Sequence, residues 1–154
     1  MALGIQYMAG GNYVEARQQF LAAARLVPSL VPAHLNLGDA YRANGQWKEA
    51  KAELDQALRM QGNLPEAHFN LGLMYLSAGD QFPGLSLLDS LQKAMLELNE
   101  YRSQMGSRLK KDDPSTAYLA DISKRIEREQ KRIEREQKQK EREARQKAMQ
   151  KEGG

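Results

Sequence analysis

The sequence predicts an all-α fold made of stacked helical hairpins followed by a charged helical extension. The main observation is a repeat of 34 residues, which relates the pairs Leu3-Gly4, Leu37-Gly38 and Leu71-Gly72. Each pair is followed at a constant spacing by a tyrosine and then by a glycine, which are Tyr7, Tyr41 and Tyr75, and Gly11, Gly45 and Gly79. A period of this length is typical of helical hairpins that bury their apolar faces against one another.

The second unit predicts the hairpin in most detail. Apolar and small residues recur three or four positions apart, as in amphipathic helices. We expect a first helix from about Val31 to Ala43, which ends where Gly45 can adopt a left-handed conformation. A second helix is expected from about Trp47 to Met60. Gly38 and Ala50 are small residues at the point where the two helices must approach closely.

The first unit, residues 1–28, has small and apolar residues in the same order as the second unit. These include alanines and a large apolar residue on its second helix. With the second unit it resembles the tetratricopeptide-repeat family over residues 1–62. The resemblance implies a solenoid of helix-turn-helix units in which the first helix of each hairpin lines a concave surface. Because Met1 falls four residues into the first unit, we expect further repeats upstream in a longer parent protein.

The third unit departs from the pattern in its second half. Pro83 and Gly84 lie where the second unit has Glu49 and Ala50. Since proline is tolerated only in the first turn of a helix, we predict that a long helix starts near Pro83, tilts away from the stack and runs to residue 109. Its apolar residues have a heptad-like spacing. The expected organisation is therefore repeats over 1–82, a capping or coiled-coil helix over 83–109, and a charged helix over 114–150.

The charged helix contains the segment KRIEREQ twice in tandem, at 124–130 and 131–137. We expect Leu119, Ile122 and Ile126 to pack back on the preceding long helix, because a connection of about five residues joins antiparallel neighbours. The remainder is expected to be exposed to solvent. Two alternative roles stay open for it, which are dimer formation through the C-terminal helices and binding of nucleic acid or an anionic surface.

Composition argues against several functions. From residue 115 onward there are 12 basic and 8 acidic side chains, so basic groups have acidic neighbours one turn away and nucleic-acid binding is disfavoured. The chain has no cysteine, and no apolar run reaches the length of about 18 residues that a membrane span needs. His34 and His68 lie one repeat apart without a third ligand type, and we expect both rings to pack within the helix stack. No nucleophile motif or phosphate-binding glycine loop occurs, so we expect no enzyme activity, no cofactor and no metal.

The positive candidate for function is the concave groove. Helical periodicity together with the family resemblance assigns nine residues to it, namely Ile5, Met8, Leu35, Asn36, Asp39, Arg42, Phe69, Leu73 and Leu76. Co-chaperone members of the family bind acidic C-terminal peptides through a clamp of lysines, an arginine and asparagines, and only Asn36 matches that clamp here. A mainly apolar groove suits an amphipathic helix or an extended apolar peptide instead. The alternative is that the chain's own helix, or a neighbouring copy, partly fills it.

The predicted function is thus that of a protein-interaction adaptor within a larger assembly. The residues 97–101 with the following 112–114, and the basic-acidic tail, also resemble bacterial repeat proteins of envelope and gliding-motility machineries. The N-terminus of this sequence shows no basic region before an apolar stretch, so no signal-peptide pattern is visible in it, and the sequence leaves both the cytoplasm and the bacterial periplasm open as compartments.

Overall fold

The computed structural model describes residues 1–154, and its secondary structure consists of helices without β-strands. It has seven α-helices, with two short 3-10 turns at Gly79–Gln81 and Gly106–Arg108. The helices are α1 (Ala2–Ala9), α2 (Tyr13–Leu26), α3 (Val31–Ala43), α4 (Trp47–Met60), α5 (Pro65–Ala78), α6 (Leu87–Met105) and α7 (Ser115–Glu152). Helices α1 and α2, α3 and α4, and α5 and α6 pack as three hairpins, and each hairpin packs on the next. The predicted bounds of α3 and α4 are confirmed.

The same small-residue contact joins the two helices of every hairpin. A Cβ atom placed on Gly38 would lie 2.7 Å from Cγ of Leu54, and one on Gly72 would lie 2.7 Å from Cγ of Leu98. On Gly4 it would lie 2.6 Å from Cε1 of Phe20. Only a residue without a side chain permits this approach, so the glycine of each Leu-Gly pair sets the distance between the helices.

The third hairpin corrects the sequence-based expectation. Leu98 and Ala94 occupy the places that Leu54 and Ala50 have in the second hairpin. They lie 44 residues further along the chain instead of 34, so ten residues are inserted before the contact. The hairpin is therefore complete, and the predicted correspondence between Gly84 and Ala50 is wrong.

The predicted start of the long helix at Pro83 is also wrong, because α6 begins at Leu87. The Ser86 side chain accepts a hydrogen bond from the Asp89 backbone N–H, and the Asp89 carboxylate accepts one from the Ser86 backbone N–H. This reciprocal capping box satisfies two backbone N–H donors at the start of α6 and fixes the helix start there. The helix ends at Met105 and not at residue 109, since Gly106 takes a φ of +52°.

The inserted residues are packed against the hairpin. Phe82 lies on Tyr75 with 5.5 Å between ring centroids, and the Ser90 hydroxyl donates to the carbonyl of Gly79. The inserted residues thus pack against the end of the third hairpin at which α5 connects to α6.

The main core joins the last two hairpins to the start of α7. Leu71, Met74, Leu91 and Leu98 share one buried cluster with Ile122 of α7. A second cluster fills the first hairpin and its contact with α3, and a third lies where α4 meets α5. Each hairpin therefore depends on its neighbours for burial, as in other repeat proteins.

Helix α7 has a docked half and a free half. Tyr118, Leu119 and Ile126 pack against the main core beside the fully buried Ile122, and Arg102 of α6 donates to the hydroxyl of Ser115. From residue 134 onward every residue is exposed, over about 28 Å of helix. Ion pairs one turn apart, such as Lys131–Glu127 and Lys138–Glu134 at 2.6 Å, lie along the exposed side of this helix. No helix combines the length and apolar character needed to cross a membrane.

Candidate concave binding groove

The predicted groove residues belong to α1, α3 and α5, the first helices of the three hairpins. Helix α3 packs directly on α5, and no comparable contact joins α4 to α6. First helices that lie closer together than second helices form the concave face of a solenoid. The nine predicted groove residues all lie on these three helices.

A pocket of about 390 Å³ opens where α3, α5 and α6 meet the start of α7. Its walls are Leu35, Asn36, Glu66, Phe69, Asn70, Tyr101 and Pro114. Three of these residues, Leu35, Asn36 and Phe69, belong to the predicted set. A cavity of this size accommodates one or two side chains of a bound segment.

Sequence reasoning missed four of the lining residues. Asn70 follows Asn36 by one repeat, and that spacing could have identified it. Tyr101 and Pro114 come from the displaced second helix and the loop after it, where the 34-residue register no longer applies. Glu66 lies in the first turn of α5 and is the one charged residue that lines the pocket.

Phe69 forms the aromatic wall of this pocket with side chains of the C-terminal helices. Its ring centroid lies 5.0 Å from that of Tyr101 and 6.1 Å from that of Tyr118. Such tilted and edge-on pairs are favourable beyond their buried area. The chain's own α7 therefore covers part of Phe69 and closes this end of the groove.

The tyrosine on this wall is held in its neutral form. Burial raises the pKa of Tyr101 to about 12, and the hydrogen bond from its hydroxyl to Asp113, 2.7 Å long, acts in the same direction. Burial opposes ionisation of Asp113, but hydrogen bonds from Ser115 and Tyr101 outweigh it and lower the pKa of Asp113. The Tyr101 hydroxyl thus hydrogen-bonds to the segment that connects α6 and α7, and the ring of Tyr101 lines the pocket.

Asp39 and Arg42 form an ion pair in the middle of the groove. The Arg42 Nε–H donates to Oδ1 of Asp39 over 2.9 Å, and both side chains are half-buried. Because the two residues lie three positions apart on α3, each neutralises the other. The middle of the groove is polar and carries no net charge from this pair.

The other predicted groove residues differ in how much of each side chain is exposed or packed against a core cluster. Ile5 is 54% exposed, and Leu73 is half-buried and belongs to none of the three core clusters. Leu76 packs against the main core, and Met8 packs against the core of the first hairpin. Ile5 and Leu73 are therefore the apolar residues most available to a partner.

The histidines hold hairpins together. Nδ1 of His34 lies 2.6 Å from Oε2 of Glu53, and Nδ1 of His68 lies 2.7 Å from Oε2 of Glu97. Each pair joins the first helix of a hairpin to the second, and His34 also contacts the carbonyl of Pro28 over 2.8 Å. No group of three side chains suited to a metal ion occurs.

Comparison with known proteins agrees with this architecture. The tetratricopeptide-repeat family model matches residues 38–79, which include most of the second hairpin and the first helix of the third. No curated protein sequence matches the chain.

Solved structures show that the repeat fold extends beyond the matched residues. The type III secretion translocator chaperone SycD of Yersinia enterocolitica is similar, with a TM-score of 0.67, 21% identity and 82% of each chain covered. PcrH, solved in complex with the chaperone binding region of PopD, has a TM-score of 0.58 and 21% identity over 86% of this chain and 89% of its own. The all-α tetratricopeptide-type solenoid is thereby confirmed.

Proposed function

We propose that this protein is a non-enzymatic adaptor that binds an apolar segment of a partner protein in the concave groove of α1, α3 and α5. The observation that carries the proposal is the 390 Å³ pocket between α3, α5 and the C-terminal helices. Leu35 and Phe69 give it apolar walls, and the amides of Asn36 and Asn70 add hydrogen-bond donors and acceptors. This combination suits a peptide or helix that inserts an apolar side chain.

Two further features support a groove ligand that is longer than one side chain. Leu73 and Ile5 provide apolar surface on α5 and α1, outside the pocket. The similar structure of PcrH contains a bound protein region, the chaperone binding region of PopD. An amphipathic helix and an extended peptide both fit these features.

The experiment starts by trapping the partner at the groove. A photo-reactive amino acid is placed at Leu73 and, as a control, at Ala52, which is exposed on α4. We expect irradiation in cells to produce an adduct at Leu73 and none at Ala52. Phe69 is unsuitable as the test position, because its contacts with Tyr101 and Tyr118 hold α7 in place.

A second step measures affinity with the trapped segment as a synthetic peptide. Leu73→Glu should raise its Kd at least about tenfold, a loss of about 1.4 kcal/mol or more. Ala52→Glu should leave the Kd unchanged. Equal labelling at both positions, or an unchanged Kd for Leu73→Glu, would exclude the groove as the binding site.

The alternative functions of the tail remain predictions with their own test. Lys131, Arg132 and Lys138 each pair with a glutamate one turn away, which weakens attraction to phosphate groups. Removal of 124–154 should therefore leave RNA or DNA affinity at physiological salt unchanged, and a marked loss would favour the nucleic-acid alternative. A place in a bacterial envelope or gliding-motility assembly likewise stays a prediction.

A further inference from the structure

Glu66 is the one charged residue on the walls of the groove pocket, and its carboxylate forms no ion pair within the chain. Helix α1 has no charged side chain. The other charged side chains of α3 and α5, and the two histidines on these helices, are all paired. Asp39 pairs with Arg42, and the histidines pair with glutamates of the second helices. The three groove helices therefore carry one uncompensated charge, which is negative and lies at the pocket.

The charges that act on Tyr101 show that the negative potential reaches the pocket wall. Burial is the largest cause of the raised pKa of Tyr101, the carboxylates of Asp113 and Glu66 raise this pKa further, and Arg102 lowers it. The guanidinium of Arg102 also donates to two hydroxyl groups at the start of α7. Two negative charges and one positive charge thus act on this side of the pocket, and their sum favours a bound cation.

The uncharged walls of the pocket also suit a cationic side chain. The rings of Phe69 and Tyr101 line it, and aromatic rings attract ammonium and guanidinium groups. The amide oxygens of Asn36 and Asn70 accept hydrogen bonds, which both of these cationic groups donate. Leu35 offers apolar surface to the alkyl stem that lysine and arginine share. A basic side chain therefore finds partners here for both its charged end and its stem.

We propose that the partner segment carries a lysine or an arginine beside the apolar side chain that it inserts, and that this basic residue binds at Glu66. The inference rests on the proposed function, and the pocket of about 390 Å³ has room for both side chains. In a bound helix the two residues are three or four positions apart, and in an extended segment they are two positions apart. An acidic residue at the same place would face Glu66, so the pocket selects partner segments by charge.

Peptide selection tests the proposal without knowledge of the natural partner. Random peptides displayed on phage are selected on the immobilised full chain, and we expect the enriched peptides to share an apolar residue and a lysine or arginine at one of these spacings. Selection on Glu66→Gln should keep the apolar residue and lose the basic one. Glu15→Gln is the matched control, because Glu15 is likewise exposed in the first turn of a helix but lies outside the pocket. It should select the same peptides as the wild type.

A selected peptide then measures the strength of the contact. Replacing its basic residue with glutamine should raise the Kd about two- to fivefold, as for an exposed ion pair, because Glu66 is exposed. Against Glu66→Gln the same replacement should leave the Kd unchanged. Glu66→Lys should reverse the preference, so that a peptide with glutamate at this position binds more tightly than one with lysine. A merely structural role of Glu66 would weaken both peptides equally, and circular dichroism should show the same helix content for all variants.

The results distinguish this inference from the groove proposal on which it rests. If Leu73→Glu weakens binding of the peptides, but the glutamine replacement raises the Kd equally for Glu66→Gln and the wild type, the groove binds the segment and the role of Glu66 is overturned. Enriched peptides without a preference for basic over acidic residues would overturn it too. If no peptide is enriched, or if the selected peptides bind Leu73→Glu as tightly as the wild type, the groove proposal fails and this inference fails with it.

Discussion

Gly72→Ala tests the finding that α6 is the displaced second helix of a complete third hairpin. The added Cβ would lie 2.7 Å from Cγ and 3.0 Å from Cδ2 of Leu98. Leu98 is fully buried in the main core, in one cluster with Leu91 and Ile122. The substitution therefore overpacks the contact between α5 and α6.

The expected magnitude is the difference between two opposing effects. Overpacking a tight core costs about 1–3 kcal/mol, and the upper end applies where the neighbour cannot move. Alanine in place of glycine inside a helix stabilises by about 1 kcal/mol. We therefore expect Gly72→Ala to lower the free energy of unfolding by about 2 kcal/mol. For a chain of this length that corresponds to a drop of about 4–8 °C in Tm.

Urea unfolding followed by circular dichroism measures this difference, with an unchanged slope as the check for comparable unfolding. Gly62→Ala is the control, since nothing lies within 4 Å of its Cβ position, and its stability should change by less than about 0.5 kcal/mol. In the Gly72→Ala background, Leu98→Ala should cost less than it does alone, because it removes the clash. If Gly72→Ala instead stabilised the chain by about 1 kcal/mol, as in an open helix, Leu98 would not pack there.

Four further predictions concern the C-terminal helices and the two tyrosines whose pKa is raised. Ile122→Ala should lower the free energy of unfolding by about 2–5 kcal/mol, because Ile122 is fully buried under α6, and thermal unfolding measures it. Removal of 134–154 should leave the Tm of the remaining chain unchanged, since those residues are exposed throughout. The pKa of both Tyr75 and Tyr101 is raised from 10.0 to about 12, so the folded state keeps these protons where the unfolded state loses them, and stability should fall as pH rises from about 10 to about 12. In Asp113→Asn, ultraviolet titration should show Tyr101 ionising at lower pH, because a carboxylate that opposes its ionisation is gone.

The sequence was a reliable guide wherever the 34-residue register holds. The bounds of α3 and α4 follow from local signals, which are the three-four apolar spacing and the glycine after the first helix. Gly45 takes a φ of +71°, as the predicted helix end requires. The register also placed Leu35, Asn36 and Phe69, which meet at one pocket.

The register misled where the chain inserts ten residues. Pro83 and Gly84 fall at the expected positions of a second helix, and the apolar spacing of 88–109 is compatible with several starting points. A signal was nonetheless present, because segments 50–54 and 94–98 share alanine, glutamate and leucine at the same places. A search at a constant period of 34 does not align these two segments.

By itself, then, the sequence determined the class of fold and the small-residue contacts within hairpins, because helix periodicity and repeat spacing act over short distances. Only the tertiary structure decided that Leu98 packs on Gly72, that Tyr118 of α7 covers part of Phe69, and that the pocket includes Tyr101. These contacts join residues separated by an insertion or by a whole helix. Which of these contacts form depends on which surfaces fit together in the compact chain. A periodic sequence pattern does not contain that information.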